Sequence, residues 1–417
     1  MTTSPDKLKD ALRRRLPAQL PARLGVAVSG GGDSVALLHL LAENARAQGV
    51  SLYVATVDHG LRPESSAEAD RVAEMARDMG LPHEVLRWTG WDGSGNLQDQ
   101  ARQARYRLLT DWARRNDVPA IALGHTADDQ AETVLLRLGR ASGVTGLSGM
   151  PAARELNEVQ LLRPLLDVTR QELRDYLNAH GLDWIEDPSN HDLRFDRIKA
   201  REALAGLEEI GITARSLSRV ADNLAQAREA LDVFTQETAR RVLRAETGDI
   251  CVDRAGFVAL PSEIQRRLLV GSIQWIAGAG YPPRQMAVEQ ALSALRQAET
   301  TTIGGCMVVA KDENTWICRE LGAISVQPSK PGDLWDSRWI LTGPQRSDAQ
   351  VRPLAKAGLR QLPDWRALGK PRAALVASPA IWAEDTLLSA PLAGFSNGWR
   401  AELASEVPEL HSSFLSH

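Results

Sequence analysis

Ser29-Gly30-Gly31-Gly32-Asp33-Ser34 joins an apolar run, Leu24-Gly25-Val26-Ala27-Val28, to a helical pattern beginning at Val35-Ala36-Leu37-Leu38. A strand, a glycine turn and a helix start in that order restrict the chain to a βα arrangement whose turn cradles an anion. Glycines let successive N–H groups converge on one phosphate, and the helix N-terminus adds roughly half a positive charge. Ser29 and Ser34 contribute hydroxyls, and Asp33 a carboxylate able to recruit a metal ion. Other phosphate loops fit poorly. A G-x-x-x-x-G-K-[ST] loop needs a lysine that is absent here, and G-x-G-x-x-G fails at Asp33-Ser34-Val35. Asp58 could still imitate the acid a dinucleotide fold wants after its second strand. A ligand-free turn has no need of three consecutive glycines.

Around this turn the sequence alternates. Strands are expected at Leu24–Val28, Ser51–Asp58, His83–Trp88 and Ala120–Gly124, and helices at Ser34–Ala47, Glu64–Met79, Leu97–Arg115 and Asp128–Leu138. That rhythm predicts a mostly parallel sheet covered by helices on both faces, with active residues at the carboxyl ends of its strands. Gly30, Asp58, His59 and His125 fall there. Thr169 and Glu172 form a capping-box pattern opening a helix to His180, and Asp187-Pro188-Ser189-Asn190 reads as a turn. Further helices are expected over Thr213–Ala245, Ser262–Ala277 and Arg284–Gln297, and β-like runs over Thr302–Ala310 and Thr315–Arg319. Beyond Gln327 no clear period is visible. The 417 residues therefore divide into three expected domains: 1–205, an α/β nucleotide domain; 206–300, a helical middle domain; and 301–417, a small α+β domain.

Composition narrows the function classes. The first twenty residues carry charges throughout and have no apolar centre, and no apolar run is long enough to span a bilayer. A cytoplasmic protein without a membrane partner is expected. Three cysteines, Cys251, Cys306 and Cys318, form no C-x-x-C pair and argue against a disulfide framework or zinc knuckle. The net charge of −4 gives no global signature for nucleic acid, so RNA contacts would come from local patches such as Arg13-Arg14-Arg15 with Arg23, or Arg194, Arg197, Lys199 and Arg201. The eleven tryptophans are expected mostly in cores rather than stacked on bases.

A second stretch, Gly124-His125-Thr126-Ala127-Asp128-Asp129-Gln130-Ala131-Glu132-Thr133, begins where a strand should end. Asp129 and Glu132, three residues apart, share one helix face. Acids in a first turn also complement the helix dipole, which by itself would explain them. Beside a phosphate turn on the same sheet edge they become a site for a cation, either Mg²⁺ or a substrate ammonium.

The hexapeptide resembles the loop of the N-type ATP pyrophosphatases, the PP-loop superfamily. The order of further blocks resembles one family within it, the tRNA(Ile)-lysidine synthetases. These blocks are Val57-Asp58-His59-Gly60-Leu61-Arg62, Ala101-Arg102-Gln103-Ala104-Arg105-Tyr106, Gly124 to Arg137, Arg140 to Leu147 with Gly149-Met150, Arg163-Pro164-Leu165-Leu166 and Asp187-Pro188-Ser189-Asn190. The resemblance covers roughly residues 20 to 205. It departs at Arg194-Phe195-Asp196-Arg197-Ile198-Lys199, where the family usually has Arg-Asn and a basic stretch before Leu-Pro.

The resemblance implies a parallel-sheet, adenine nucleotide α-hydrolase-like domain. It implies that ATP adenylates O2 of the wobble cytidine of an isoleucine tRNA bearing CAU, after which free L-lysine attacks C2 and AMP leaves. Ser29, Gly30, Gly31, Gly32, Asp33 and Ser34 would hold ATP, and Asp33 would bind Mg²⁺. Arg105 would steady charge on the leaving group, and Asp129 and Glu132 would hold lysine. His59, Arg62 and His125 would neighbour the nucleotide, and the last domain would contact tRNA. A homodimer is the assembly this reading allows. Presenting a lysine amine neutral at pH 7 costs roughly 4–5 kcal/mol, so carboxylates beside it bind the ammonium but oppose attack. They would grip the α-amino group, or one would take a proton.

Three rivals are weighed against this reading. A PP-loop tRNA thiolase commonly needs early cysteines, and none precedes Cys251. An amidotransferase-like synthetase needs a glutaminase nucleophile. A non-catalytic RNA-binding protein would not need Asp33, Arg105, Asp129 and Glu132 together.

Overall fold

Strand β1 (Arg23–Ala27) lies inside the sheet it begins. It pairs in parallel with β2 (Ser51–Asp58) on one side and with β4 (Ala120–Leu123) on the other. Strand β3 (His83–Arg87) extends the first side, while β6 (Val159–Leu162) and the antiparallel β5 (Ala153–Leu156) extend the second, giving the order β3-β2-β1-β4-β6-β5. The chain thus builds outward from β1 and then crosses to its opposite side. That reversal opens a crevice at the carboxyl ends of β1 and β4. The computed structural model describes residues 5–61, 63–89, 91, 96–186, 196–278, 282–324, 327–405 and 407–414.

Side chains of the buried strands alternate between two helical layers. Leu24, Val26 and Ala122 pack with Leu37, Leu38, Leu40 and Leu41 of α2 (Gly32–Gln48) and with Leu173 and Leu177 of α7 (Arg170–Ala179). Ala27, Ile121 and Leu161 pack on the other face with Leu109 and Trp112 of α4 (Leu97–Arg115). Each fully buried leucine is worth about 1.5–3 kcal/mol over its exposed state. The expected strands and helices of this region all form, with ends shifted by one or two residues. The β5–β6 hairpin was not expected: β5 is largely exposed on the sheet's edge, so its sequence lacks an apolar alternation.

Helices α1 (Pro5–Arg15), α3 (Ser65–Asp78), α5 (Ala127–Leu138), α6 (Val144–Leu147) and α8 (Asp196–Leu207) complete the first compact unit, Met1–Arg228. The basic run at its start is structural in part: Arg15 pairs with Asp167 at 2.5 Å and Asp222 at 2.6 Å. Arg23 likewise donates to Asn116 O.

Helix α9 (Ala214–Val242) ends earlier than expected, because residues 243–246 turn into strand β7 (Leu243–Glu246). In the second unit, Glu229–Ser416, β7, β8 (Asp249–Asp253), β9 (Thr301–Ile303), β10 (Cys306–Lys311) and β11 (Asn314–Arg319) form an antiparallel sheet ordered β7-β8-β11-β10-β9. Residues 262–277 and 285–296 are helical and cover it, and two three-stranded sheets follow within residues 334–403. Seven tryptophans (Trp112, Trp275, Trp316, Trp335, Trp339, Trp382 and Trp399) are buried, as a core role requires. Among the described residues no helix is long and apolar enough to cross a membrane.

Candidate active site at the switch point of the sheet

The phosphate turn follows β1. Gly30 adopts φ +86°, and a Cβ there would stand 2.6 Å from Ile185 Cδ1 and 3.3 Å from Val72 Cγ2. Ile185 N–H donates to Gly30 O at 2.9 Å, holding the turn from behind. Ser34 Oγ donates to Gly31 O at 2.9 Å and accepts from Ser29 N–H at 3.1 Å. These bonds leave the N–H groups of Gly30, Gly31, Gly32 and Asp33 without an acceptor among the described residues. Ser29 is exposed and Gly31 to Asp33 are half-buried, so the turn opens to solvent. Gly30→Ala is expected to cost about 1–3 kcal/mol through its backbone alone and to weaken nucleotide binding. Thermal unfolding and nucleotide titration of the variant check this.

Helix α5 supplies the acids. Thr126 caps it, donating to Asp129 Oδ2 through N–H at 2.8 Å and Oγ1 at 2.9 Å in a capping box. The structural role considered for Asp129 is therefore real, but it uses one carboxylate oxygen only. Asp129 Oδ1 accepts from Arg170 Nη2 at 2.6 Å, and Glu132 Oε1 from Arg170 Nη1 at 2.8 Å. Arg170 Nε donates to Asp33 Oδ2 at 3.2 Å, and Arg201 Nε adds a bond to Glu132 Oε1 at 3.0 Å. Glu132 is 1% exposed, and its other oxygen, Oε2, is buried without a partner among the described residues. A buried, unpaired carboxylate oxygen is costly unless a ligand meets it.

This packing sets the charges. Burial pushes Asp33 up to about 6, with Arg170 opposing and Asp129 adding. Burial also works to raise Asp129, but Arg170, His125 and the Thr126 donors outweigh it and hold it below the ordinary carboxylate range. Burial lowers Arg170, yet Asp129, Glu132 and Asp33 together raise it further.

Arg105, half-buried on α4, makes no hydrogen bond or ion pair among the described residues. Its guanidinium is lowered by burial and by Arg102 and Arg197, while Tyr106 and Asp129 favour its charge. Burial lowers His125 well below its usual value, and Arg105, Arg163 and Arg197 lower it further against Asp129. Burial and Arg105 lower His59, which stacks edge-on against Trp88 at 5.7 Å. Both imidazoles are therefore neutral at pH 7, each with a buried Nδ1 lacking a partner among the described residues. Asp33 of the turn, Asp129 and Glu132 thus meet on Arg170, with Arg105 and His125 within electrostatic reach of Asp129 and His59 within reach of Arg105. Arg62, the Asp187–Asn190 turn and Arg194 lie outside the described residues.

Sequence reasoning missed Arg170, the hub of the acids. It gave no role to Arg163, which is buried and donates to Pro151 O at 2.9 Å. Downstream, Gln130 fastens the loop after α6 through Met150 N–H (2.7 Å) and O (3.0 Å). Gly149 lies there at φ +66°, with no room for a Cβ against Gln130. The cysteines all lie in the second unit and are buried, and burial pushes Cys306 up to about 12. No reactive thiol of the described residues serves this crevice.

Residues 3–207 match a family model described as a PP-loop domain. A tRNA(Ile)-lysidine synthase of Ruegeria pomeroyi is 54% identical over 417 residues, covering all of both chains. Another, from Wolbachia pipientis wMel, is 38% identical and covers 80% of each chain, and one from Bradyrhizobium diazoefficiens is 40% identical over 71% of this chain and 84% of its own. Among solved structures, the U34-tRNA thiolase NcsA from Methanococcus maripaludis with its [4Fe-4S] cluster is 17% identical. It covers 53% of this chain and 79% of that one at a TM-score of 0.47.

Proposed function

The chain belongs to the tRNA(Ile)-lysidine synthase family, and on that premise we propose that it joins L-lysine to C2 of the wobble cytidine in an isoleucine tRNA bearing CAU. It is a PP-loop, ATP-using enzyme of tRNA modification. In the proposed chemistry the cytidine O2 attacks the α-phosphorus of ATP and pyrophosphate leaves. The lysine ε-amine then attacks C2, AMP leaves with the oxygen, and the amine loses a proton.

The observation that carries this reading is the buried acid pair beside the phosphate turn, in which Glu132 Oε2 still lacks a donor. Free N–H groups at Gly30–Asp33 suit the triphosphate. Asp129 Oδ1 and Glu132 suit an ammonium, and Glu132 Oε2 is an acceptor ready for one of its protons. Arg105, with no carboxylate paired to it, can offset negative charge growing on pyrophosphate or AMP. The neutral His59 and His125 add no competing charge. Mg²⁺ usually takes one or two carboxylates together with substrate phosphates, and Asp33 fits that pattern. Its charge would neutralise the phosphate oxygens. Residues 206–300 and 301–417, read from the sequence as a helical middle domain and a tRNA-binding domain, would carry the RNA contacts.

The direct test supplies ATP, radiolabelled lysine and isoleucine tRNA bearing CAU. Label in the RNA, with AMP released and pyrophosphate release continuing beyond one equivalent only when lysine is present, is the expected result. Unlabelled RNA together with sulfide-dependent activity would instead favour a thiolase.

A further inference from the structure

Three carboxylates of the site share one cation. Asp33 belongs to the phosphate turn, whereas Asp129 and Glu132 belong to α5, and Arg170 donates to all three. Its bond to Asp33 is the longest, 3.2 Å against 2.8 Å and 2.6 Å. The guanidinium therefore holds two of the oxygens an incoming ammonium would use, Asp129 Oδ1 and Glu132 Oε1, and leaves it Glu132 Oε2. Arg201 adds a second positive charge on Glu132 Oε1, so the acids are largely neutralised and a free ammonium gains little there. A triphosphate seated on the N–H groups of Gly30–Asp33 changes the balance. It brings a polyanion to the residue Arg170 already touches on the turn side, and a guanidinium binds phosphate oxygens as well as carboxylates.

We propose that Arg170 is a positioning residue that couples the two subsites. It occupies the amine grip while the phosphate turn is empty and swings toward the triphosphate when the turn fills, so lysine binds tightly only after ATP. The proposal rests on reading Asp129 and Glu132 as the lysine grip. It also gives the reaction an order, because the nucleophile's subsite opens only when the activating nucleotide is in place.

The test is calorimetric titration of the full-length protein with L-lysine, with and without saturating Mg²⁺ and a non-hydrolysable ATP analogue. Lysine affinity is expected to rise about tenfold with the nucleotide, within the usual range of coupling between sites, and lysine must tighten the analogue by the same factor. In Arg170→Gln the ratio of the two lysine affinities is expected to fall to about one, and Arg170→Lys, which keeps a cation, to restore part of it. A purely structural Arg170 would weaken both affinities and leave their ratio unchanged, which overturns the proposal. Wild-type protein that binds lysine equally in both states overturns it as well, while leaving the lysine grip intact. Wild-type protein that binds no lysine in either state removes the grip and the coupling together. The wild-type ratio decides even where a variant does not fold.

Discussion

Asp33→Asn is expected to cut turnover severely and, at neutral pH, to make the protein more stable. Burial holds the Asp33 carboxyl at about 6, against an ordinary value of 3.8. Above pH 6 it is ionised in both folded and unfolded chains, and the folded chain bears the full penalty of a charge it disfavours. Two pH units correspond to about 3 kcal/mol at most. As pH falls from 6 to 4 the folded chain takes up its proton before the unfolded one, so the penalty shrinks, and below 4 it is gone. Asparagine removes the charge and keeps an oxygen for Arg170 Nε. The variant should therefore melt higher than wild type at pH 8 and no higher at pH 4. An equal gain at both pH values would show that ionisation of Asp33 is not the cause. Turnover should drop by about 10²–10³-fold, the scale for losing one electrostatic contact to a reacting group, with tRNA affinity largely retained. Parallel loss of RNA binding would assign Asp33 to folding rather than to chemistry.

Arg170→Ala is expected to be the most destabilising single change in the site. It strips the shared cation from Asp33, Asp129 and Glu132, whose side chains are 28%, 11% and 1% exposed. Removing one partner of a buried ion pair typically costs about 3–5 kcal/mol, because the remaining charge is left uncompensated. Arg201 still covers Glu132, so the deficit falls mainly on Asp129 and Asp33. Adding Asp129→Asn should recover part of the loss, with a coupling energy of about 0.5–3 kcal/mol in a double-mutant cycle. Denaturant unfolding of the two single variants and the double measures it. A loss below about 1 kcal/mol for Arg170→Ala, the level of an exposed pair, would mean that the carboxylates do not depend on this guanidinium.

These two residues also mark the limit of what could be read in advance. Asp33 was legible because it sits in a turn of three glycines between a strand and a helix, a local pattern with few uses. Asp129 and Glu132 were legible as one helix face, and the capping box at Thr169 and Glu172 formed as its spacing required. Arg170 was not, because nothing within ten residues of it hints at a partner on another helix. One weak signal was present: it is a cation at the first position of a helix, where the dipole disfavours positive charge. Strands β7 and β8 escaped for a different reason. They continue directly from a long helix, and β7, at one end of its sheet, has exposed central residues, so it lacks the alternation that marks a half-buried strand.

Local order along the chain thus determined the parallel sheet, the phosphate turn, the acid face of α5 and the family, because each depends on spacings of a few residues that recur in any chain with the same backbone needs. Tertiary structure alone decided that Asp33, Asp129 and Glu132 meet on one arginine from 38 to 137 residues away. It also decided that Glu132 Oε2 is left bare and that burial lifts Asp33 to about 6. Those are consequences of which helices pack together and how much water they exclude, and a linear sequence carries neither quantity directly.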